Sequence, residues 1–371
     1  MIEVRPVKDK KTLKEFVEYP YRLYKNNKYW VPPLRRDVYK LLDKKENPFW
    51  EHADAELYLV YRNNRLAGRV AAIIDYNYID FWNEKTGYFG FFECDDDEDA
   101  ARALFKAVKK FHHEKGMEKF IGPMNLSTND TCGFLLEGYF SPPFIMMPYN
   151  PEYYHQLVEA CGLSKAKDLY AYYIETRNAP MDYLEKLSSV VRKRVQDLKV
   201  RPVNLNDFVN EVKKIQEVYN DAWSRNWGFV PMTDAEFKAM AKELKSFVIA
   251  DFVIIVEIDN VPAAVSLTIP DYNFVLKKMN GRLGPIEILK FLYFKNKIKE
   301  ARLMVMGVRK QFQKMGLEAL MFLETFKAGE RLGITGGELS WILEDNYETN
   351  NTIRKMGGRL YKKYRIYQGR V

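Results

Sequence analysis

Two segments of the chain alternate apolar and polar positions in the way that antiparallel strand pairs do. The first, LYLVYRNNRLAGRVAAIID (57–75), contains two apolar runs around an Asn-Asn pair. The second, FVIIVEIDNVPAAVSLTIPD (252–271), repeats this design around an Asp-Asn pair. Both pairs tolerate the left-handed backbone of tight turns, so the pattern predicts a β-hairpin in each half of the chain.

The elements that follow the two hairpins also correspond. In the first half, an apolar run (87–94) precedes a helical pattern with an acidic start and a glycine end (95–116), and then the apolar run EKFIGPMN. The second half has an apolar run (301–308), a basic turn, a helical pattern (317–333) and the apolar run GGELSWILEDN. Each half closes with a short helical pattern, a glycine and an aromatic-rich strand. The sequence therefore predicts a duplicated α/β unit.

This repeat predicts two domains, residues 1–165 and 166–371. A chain of 371 residues, of which 47% are apolar and 29% charged, fits a folded protein of that size. No stretch reaches the roughly 18 uncharged apolar residues of a membrane-spanning helix, and the start lacks the apolar core of a signal peptide. We expect a cytoplasmic protein.

The order of hairpin, strand, helix, strand, helix and strand resembles the GNAT superfamily, the Gcn5-related N-acetyltransferases. The basic turn resembles the GNAT motif V-x-x-x-[YF]-[RQ]-x-x-G-x-[GA], except that Glu318 replaces the small last residue. A later Asn and a glycine-ended helix match as well, whereas Ile353 stands where many GNAT enzymes have a tyrosine. The matching positions are Val308, Phe312, Gln313, Gly316, Asn346 and Gly357. The resemblance implies two tandem GNAT-like units, each a mixed, largely antiparallel twisted sheet flanked by helices.

The same resemblance implies that the second unit binds acetyl-CoA or a longer acyl-CoA. A pyrophosphate needs converging N–H donors, which a helix start supplies, and the basic side chains of the turn add countercharge. The edge of the preceding strand is expected to hydrogen-bond the pantetheine arm. The expected cofactor-binding residues are Met306, Val308, Arg309, Lys310, Gln313, Lys314, Met315, Gly316, Leu317 and Asn346.

Two acidic features bear on this expectation. The turn of the first half, CDDDED (94–99), would repel phosphate, so that unit is expected to have lost cofactor binding. In the second half, Glu318 caps the helix if its side chain points outward, and shifts or removes the CoA site if it points inward.

GNAT chemistry implies direct attack of an amine on the thioester without an acyl-enzyme. The best-placed carboxylates for the general base are Glu338, on the strand GGELSWIL, and Glu344, at its end. Since Ile353 cannot protonate the departing thiolate, Tyr347 is a candidate acid, with Tyr361 or water as alternatives. The four histidines share no ligand spacing, so no metal is expected.

Four residues are candidates for binding the acceptor. Trp223 and Trp227 lie one helical turn apart in a segment that GNAT order places on the acceptor side. Asn125 and Asn129 lie in a polar loop after a strand, where substrate-facing loops are common. The plainer alternatives are core packing for the tryptophans and an ordinary Asx-rich turn for the asparagines.

Charge and one added segment suggest partners. Residues 166–371 hold 34 basic against 25 acidic residues, which favours an anionic partner. The added segment GPIEILKFLYFKNKIKEAR (284–302) predicts a helix packed between the units, a cap over a long acyl chain, or a helix on an anionic membrane surface.

We expect a small-molecule or lipid-linked amine as acceptor, and some bacterial ceramide-forming acyltransferases are similar at this level. The alternatives are a FemABX-like transferase that uses aminoacyl-tRNA, with tRNA as its partner, and a non-catalytic ligand-binding protein.

Overall fold

The computed structural model describes residues 1–371, which form two compact units. The first unit consists of Met1–Leu169, Asn273–Phe294 and Lys362–Val371. The second consists of Tyr170–Tyr272 and Lys295–Tyr361. Both units are therefore assembled from separate segments of the chain, and the repeat boundary at 165/166 stays a sequence-based prediction.

Strands and helices are mixed along the whole chain. Up to residue 175 the elements are β1 (Ile2–Pro6), α1 (Lys10–Leu23), α2 (Arg35–Leu42), β2 (Ala53–Arg62), β3 (Arg65–Asp75), α3 (Tyr76–Trp82), β4 (Thr86–Cys94), α4 (Glu98–Glu114), β5 (Lys119–Gly122), β6 (Phe134–Glu137), α5 (Tyr154–Ala160) and β7 (Ser164–Glu175). The remaining elements are α6 (Met181–Arg194), β8 (Leu198–Pro202), α7 (Phe208–Trp223), α8 (Asp234–Leu244), β9 (Val253–Ile258), β10 (Val261–Pro270), α9 (Asn273–Met279), α10 (Pro285–Phe294), β11 (Glu300–Val308), α11 (Leu317–Arg331), β12 (Gly336–Leu343), α12 (Tyr347–Lys355) and β13 (Arg359–Arg370).

The two sheets share one design. In the first unit the strand order is β1-β2-β3-β4-β5-β13, with only β4 and β5 parallel, and β6 also pairs with β13. In the second unit β8-β9-β10-β11 are antiparallel and β11 pairs with β12 in parallel. The strand next to β12 is β7, of which residues from Tyr170 belong to this unit. The predicted α/β class with mixed, largely antiparallel sheets is confirmed.

Both predicted hairpin turns have the left-handed backbone that their sequences favour. Asn63 and Asn64, between β2 and β3, have φ angles of 50° and 64°. Asp259 and Asn260, between β9 and β10, have φ angles of 51° and 63°. Asn and Asp reach this region at little cost, and two consecutive such residues give the turn whose twist matches antiparallel strands.

One long helix packs on each sheet beside the parallel strand pair. In the first unit α4 buries Leu104, Phe105 and Val108 against the sheet residues Phe89 and Phe120. In the second unit α11 places its own apolar face in a cluster that includes β9, β10 and β11. The members of that cluster on α11 are Leu317, Leu320 and Met321. Because each of these helices follows the first strand of the parallel pair, the turn before it lies at that strand's carboxyl end.

None of the helices is both long and apolar enough to cross a bilayer.

Candidate functional site

The parallel strands β11 and β12 part halfway along β11. Their register runs from Glu300 opposite Gly336 to Leu303 opposite Leu339 and stops there. Beyond this point β11 continues to Val308, paired with β10 alone. Five residues at about 3.3 Å each leave an unpaired edge about 16 Å long. We call this edge, from residue 304 to residue 308, the open edge of β11.

The open edge presents backbone donors away from β10. The N–H of Arg309 donates to the carbonyl of Ala263 over 2.9 Å, so position 309 faces β10. Main-chain groups alternate between the two sides of a strand, and the N–H groups of Met306 and Val308 therefore face the open side. Residues 303–307 are half-buried, which leaves this part of the strand accessible.

The turn after β11 ends in a helix start without a side-chain cap. Lys314 and Gly316 both have left-handed φ angles, 65° and 80°, and Gly316 is the N-cap of α11. The backbone N–H groups of Met315, Gly316 and Leu317 donate no hydrogen bond within the chain. Such converging donors, added to the positive end of a helix, form an anion-binding concavity.

Basic side chains surround these donors. Arg309 is half-buried and donates from Nη1 to the carbonyl of Pro262 over 3.3 Å, while its buried Nε has no partner. Lys314 is exposed, as is the neighbouring Gln313. Glu318 is half-buried in the first turn of α11 and makes no ion pair. A carboxylate in the first turn interacts favourably with the positive end of the helix dipole.

Lys310 is held by the end of α7. Its backbone N–H donates to Oδ2 of Asp221 and its Nζ donates to Oγ of Ser224, both over 2.6 Å. This tie fixes the turn against α7. It also places one carboxylate among the basic groups.

A second basic segment near the turn was not found from the sequence. The last turn of α6 contacts the turn, because a Cβ on Gly316 would lie 3.1 Å from Cγ2 of Val191. Arg192, Lys193 and Arg194 follow Val191 directly and are exposed. In the sequence this segment is the run VVRKRV at the end of α6. That run alone does not indicate a binding site, because only the packing of the helix places it beside Gly316.

Trp223 lies over the open edge of β11. A Cβ on Gly307 would come within 2.2 Å of Cη2 of this indole, so the ring covers the strand at the position where it has no side chain. The indole also stacks on Tyr219, with ring centroids 4.9 Å apart. The helix ends at Trp223, and Trp227 is half-buried in the turn that follows it. The two tryptophans therefore do not share a helix face, contrary to the expectation from their spacing.

A buried polar cluster lies where β11 and β12 meet, at the closed end of the open edge. Glu338 is completely buried and opposite Arg302 in the strand register, with 3.7 Å between Oε1 and the guanidinium Nε. Its carboxylate accepts hydrogen bonds from the hydroxyls of Ser340 and Tyr361. Arg302 also donates from Nε to Oγ of Ser340 over 2.8 Å. All four side chains are thus joined in one hydrogen-bonded group.

The other candidates follow at and beyond the end of β12. Glu344 is half-buried just after the strand, and Tyr347 is 72% exposed on the first turn of α12. Asn346 caps α12 by accepting from the N–H of Thr349 over 3.2 Å. Ile353 is buried in the core beneath α12. The catalytic roles of Glu344 and Tyr347, and cofactor binding by Asn346, stay predictions.

The corresponding edge of the first unit is closed by its own chain. The strands β4 and β5 also part, after Tyr88 opposite Ile121. There the N–H of Met124 donates to the carbonyl of Phe89, and Oδ1 of Asn125 accepts from the N–H of Phe91, each over 2.7 Å. The residues that follow β5 thus take the place that is open beside β11.

Two further predictions concern this first unit. In the acidic turn, Asp97 caps α4 by accepting from the N–H of Ala100 and pairs with Arg62. The turn is therefore built around carboxylates rather than free donors. Asn129 lies in a local turn, where its N–H donates to Oγ of Ser127 over 3.1 Å. Substrate binding by Asn125 or Asn129 stays a prediction, although the side-chain oxygen of Asn125 is already engaged.

Comparison with known proteins gives relatives over nearly the whole chain. The chain is 34% identical to Protein YghO of Escherichia coli over 375 residues, covering 99% of this chain and 95% of that protein. It is 33% identical to the bacterial ceramide synthase of Caulobacter vibrioides over 383 residues, covering 99% and 97%. No family model matches the sequence.

Solved structures with the same fold are tandem GNAT proteins and related acyltransferases. A tandem GNAT protein from the clavulanic acid biosynthesis pathway superposes with a TM-score of 0.59 at 10% identity, covering 100% of this chain and 98% of that one. A probable N-acyltransferase from Enterococcus faecalis gives a TM-score of 0.53 at 10% identity, covering 100% and 73%. At this identity the likeness shows the fold, and the predicted tandem GNAT architecture is confirmed.

Proposed function

The chain belongs to the family of Protein YghO and the bacterial ceramide synthase, and on this premise we propose that it is an acyl-CoA-dependent N-acyltransferase whose second unit is active. The acyl group would pass from the thioester of acyl-CoA to an amine.

The open edge of β11 is the observation that carries this proposal. A pantetheine arm contains two amides, which can hydrogen-bond to a strand edge as another strand would. The N–H groups of Met306 and Val308 face that edge, and no strand of the second unit pairs with it. In the first unit Met124 and Asn125 occupy the equivalent place, which supports assigning the reaction to the second unit alone.

The turn at the outer end of this edge suits the pyrophosphate of CoA. Free N–H groups at Met315, Gly316 and Leu317 can donate to phosphate oxygens, and Arg309 and Lys314 can neutralise their charge. The adenine nucleotide would therefore lie near the start of α11. The thioester would lie further down the edge, toward the polar cluster around Glu338.

The reaction needs a neutral amine, a stabilised oxyanion and a proton for the leaving thiolate. The amine nitrogen attacks the thioester carbon, the carbon–sulfur bond breaks, and the proton lost from nitrogen is matched by one gained by sulfur. A strand N–H on the open edge, such as that of Met306, can stabilise the oxyanion. Tyr361 is half-buried and donates to the buried Glu338, so this pair can pass a proton from the amine to the carboxylate. Glu344 is the alternative base.

The relatives suggest the class of acceptor. A ceramide is the amide of a fatty acid and a long-chain amino alcohol, so the name of the Caulobacter relative describes N-acylation of a lipid amine. We propose the same class, a long-chain amine, for this chain. Trp223, the last residue of α7, lies over the open edge at Gly307, and Trp227 is in the turn that follows. These two apolar side chains are our candidates for contact with the acceptor.

The proposal is tested by calorimetry with CoA and palmitoyl-CoA, followed by a thiol-release assay with long-chain and short-chain amines. We expect saturable binding at one site per chain, and thiol release that requires a long-chain amine. The Glu338→Gln variant should bind CoA as the parent protein does but turn over at least tenfold more slowly. Absence of CoA binding at physiological salt would overturn the proposal, whereas binding without release to any amine would favour a non-catalytic role. Steeply salt-dependent binding of tRNA in place of CoA would favour the FemABX-like alternative.

A further inference from the structure

The helix α10 exposes its apolar side chains to solvent. Ile286, Leu289 and Tyr293 are 66%, 67% and 62% exposed and lie at positions i, i+3 and i+7, which is one face of a helix. Ile288 and Leu292 beside them are 48% and 51% exposed. No residue of α10 is buried. The sequence alternative of a buried helix is therefore wrong, and we call these five side chains the apolar ridge.

The polar side chains of the same helix lie on its other, more buried face. The side chain of Glu287 is only 16% exposed and that of Lys290 is 40% exposed. Lys290 also donates from Nζ to the carbonyl of Lys278 over 3.2 Å. A surface helix normally turns its charged face to water and its apolar face to the core. The inverted arrangement of α10 indicates that the apolar ridge is covered by something other than this unit's own core.

The ridge stands on a well-anchored helical hairpin of the first unit. The hairpin consists of α9 and α10 with the turn between them. At its start, Nδ2 of the buried Asn273 donates to the carbonyl of Pro143 over 2.8 Å. At its turn, the carbonyl of Gly281 accepts from both the backbone N–H and the guanidinium of Arg35, over 3.2 and 3.1 Å. The ridge therefore sits on a fixed support.

The charges around the ridge are almost all positive. Residues 273–294 contain four basic side chains and one acidic one, and the acidic one is the half-buried Glu287. Three more lysines follow directly, at positions 295, 297 and 299. Lys278 lies over the rings of Phe274 and Phe294, at 5.0 and 4.6 Å from their centroids, so its amine stays at the surface beside apolar groups.

We propose that the hairpin of α9 and α10 docks on the surface of an anionic lipid bilayer, with the apolar ridge inserted at the boundary between headgroups and acyl chains. An exposed apolar stripe flanked by lysines is the composition of helices that lie in this interface. A second copy of the chain fits less well, because a two-fold contact through the ridge would bring the same lysines of both copies together. The inference does not depend on the proposed acyl transfer.

A fluorescence experiment locates the contact. An environment-sensitive dye is attached to the Leu289→Cys variant and, as a control, to the Val209→Cys variant, since Val209 is 60% exposed on α7. Two of the native cysteines are buried, and burial raises the pKa of the third, Cys161, to about 11, so the introduced thiols should react first. Vesicles of phosphatidylcholine with phosphatidylglycerol should shift the emission at position 289 to the blue and leave position 209 unchanged. Equal shifts at both positions, or no shift, would overturn the proposal.

A vesicle-flotation experiment on the full chain measures how strongly the protein binds the bilayer. The triple variant Ile286→Ser, Leu289→Ser, Tyr293→Ser should bind these vesicles at least tenfold more weakly than the parent, and Val209→Ser should bind as the parent does. The parent should release its vesicles at high salt and bind vesicles of phosphatidylcholine alone only weakly. Binding that is indifferent to lipid charge, or a triple variant that floats like the parent, would refute the inference.

Two controls separate this outcome from others. Circular dichroism and the melting temperature should be unchanged in the triple variant, because the three side chains are more than half exposed. Its thiol release with acyl-CoA and a long-chain amine dispersed in detergent micelles, without vesicles, should also be unchanged, so that a failure of docking and a failure of acyl transfer are distinguishable. A dimer that sedimentation detects in the parent, and that the triple variant loses, would assign the ridge to a second copy and overturn membrane docking.

Discussion

Replacing Gly307 by alanine tests the packing that holds the open edge of β11. The added Cβ would lie 2.2 and 2.3 Å from two carbons of the Trp223 ring and 3.1 Å from Cβ of Ala222. Carbon atoms pack at about 3.5 Å or more, so the indole must move by about 1.3 Å. The ring stacks on Tyr219, and overpacking of this kind costs about 1–3 kcal/mol. The better strand propensity of alanine offsets about 0.5–1 kcal/mol of this, so the middle of the range leaves an expected net loss of about 1 kcal/mol.

The expected loss extends to CoA binding. Gly307 lies between Met306 and Val308, whose N–H groups face the open edge, so a shift of the strand misplaces both donors. We expect CoA to bind about fivefold more weakly or worse to the Gly307→Ala variant. Urea unfolding measures the first effect and calorimetry measures the second.

A double-mutant cycle with Trp223→Leu isolates the contact. The smaller side chain makes room for the new methyl group, so the double variant should be more stable than the sum of the two single changes by about 1 kcal/mol or more. Gly329→Ala is the matched control, because its Cβ meets nothing closer than 3.8 Å and it lies within α11. That change should be neutral or stabilising. An unchanged urea midpoint for Gly307→Ala, or a cycle without coupling, would refute this account of the strand.

Three further predictions concern the charge of Lys314, the hydrogen bond of Asn125 in the first unit, and the buried His112. The Lys314→Gln variant should bind CoA about three- to tenfold more weakly at low salt, a difference that should shrink at high salt, while Lys199→Gln on β8 should change nothing. The Asn125→Ala variant leaves the N–H of Phe91 without its acceptor and should lose about 1–3 kcal/mol of unfolding free energy, with CoA still binding at one site per chain by calorimetry. Burial lowers the pKa of His112 to about 4, so the unfolded state binds more protons between about pH 6.5 and 4. Unfolding free energy should therefore fall by about 3 kcal/mol as the pH drops through that window, and urea titrations should show a flatter dependence for His112→Gln.

The fold could be predicted from the sequence because its signals are local and occur twice. The left-handed pairs at Asn63 and Asp259 each specify a hairpin within a few residues. The glycine before α11 and the acidic start of α4 mark helix starts in the same way. Each pattern is weak evidence for its element when taken alone. Because the same patterns occur in the same order in both halves of the chain, each half supports the assignment made in the other. The sequence could not predict to which unit β7 and β13 belong. Both strands alternate aromatic residues in a similar way, so their sequences do not show which sheet each one joins.

The site could be predicted only where its residues adjoin in sequence. The turn from Arg309 to Gly316 was found because its glycine, basic residues and helix start form one run. The basic end of α6, which contacts Gly316 through Val191, depends on helix packing that no local pattern reveals. Glu338 was selected for its place on the strand GGELSWIL, and the sequence did not reveal that it is completely buried beside Arg302.

The two units differ in a short segment after the second parallel strand, and under the proposed function this difference decides which of them binds an acyl-CoA. In both, the strand before the long helix parts from its parallel neighbour after three or four pairs. In the first unit the chain turns back after β5 and satisfies the exposed strand with Met124 and Asn125. In the second, β12 runs on to Leu343 and leaves the donors of β11 unmet. Because unsatisfied strand donors cost stability, the open edge is consistent with the proposed binding of a pantetheine arm there. The corresponding turn of the first unit, residues 94–99, is rich in acidic residues. Under the proposed function that turn binds no phosphate, so its carboxylates repel no ligand.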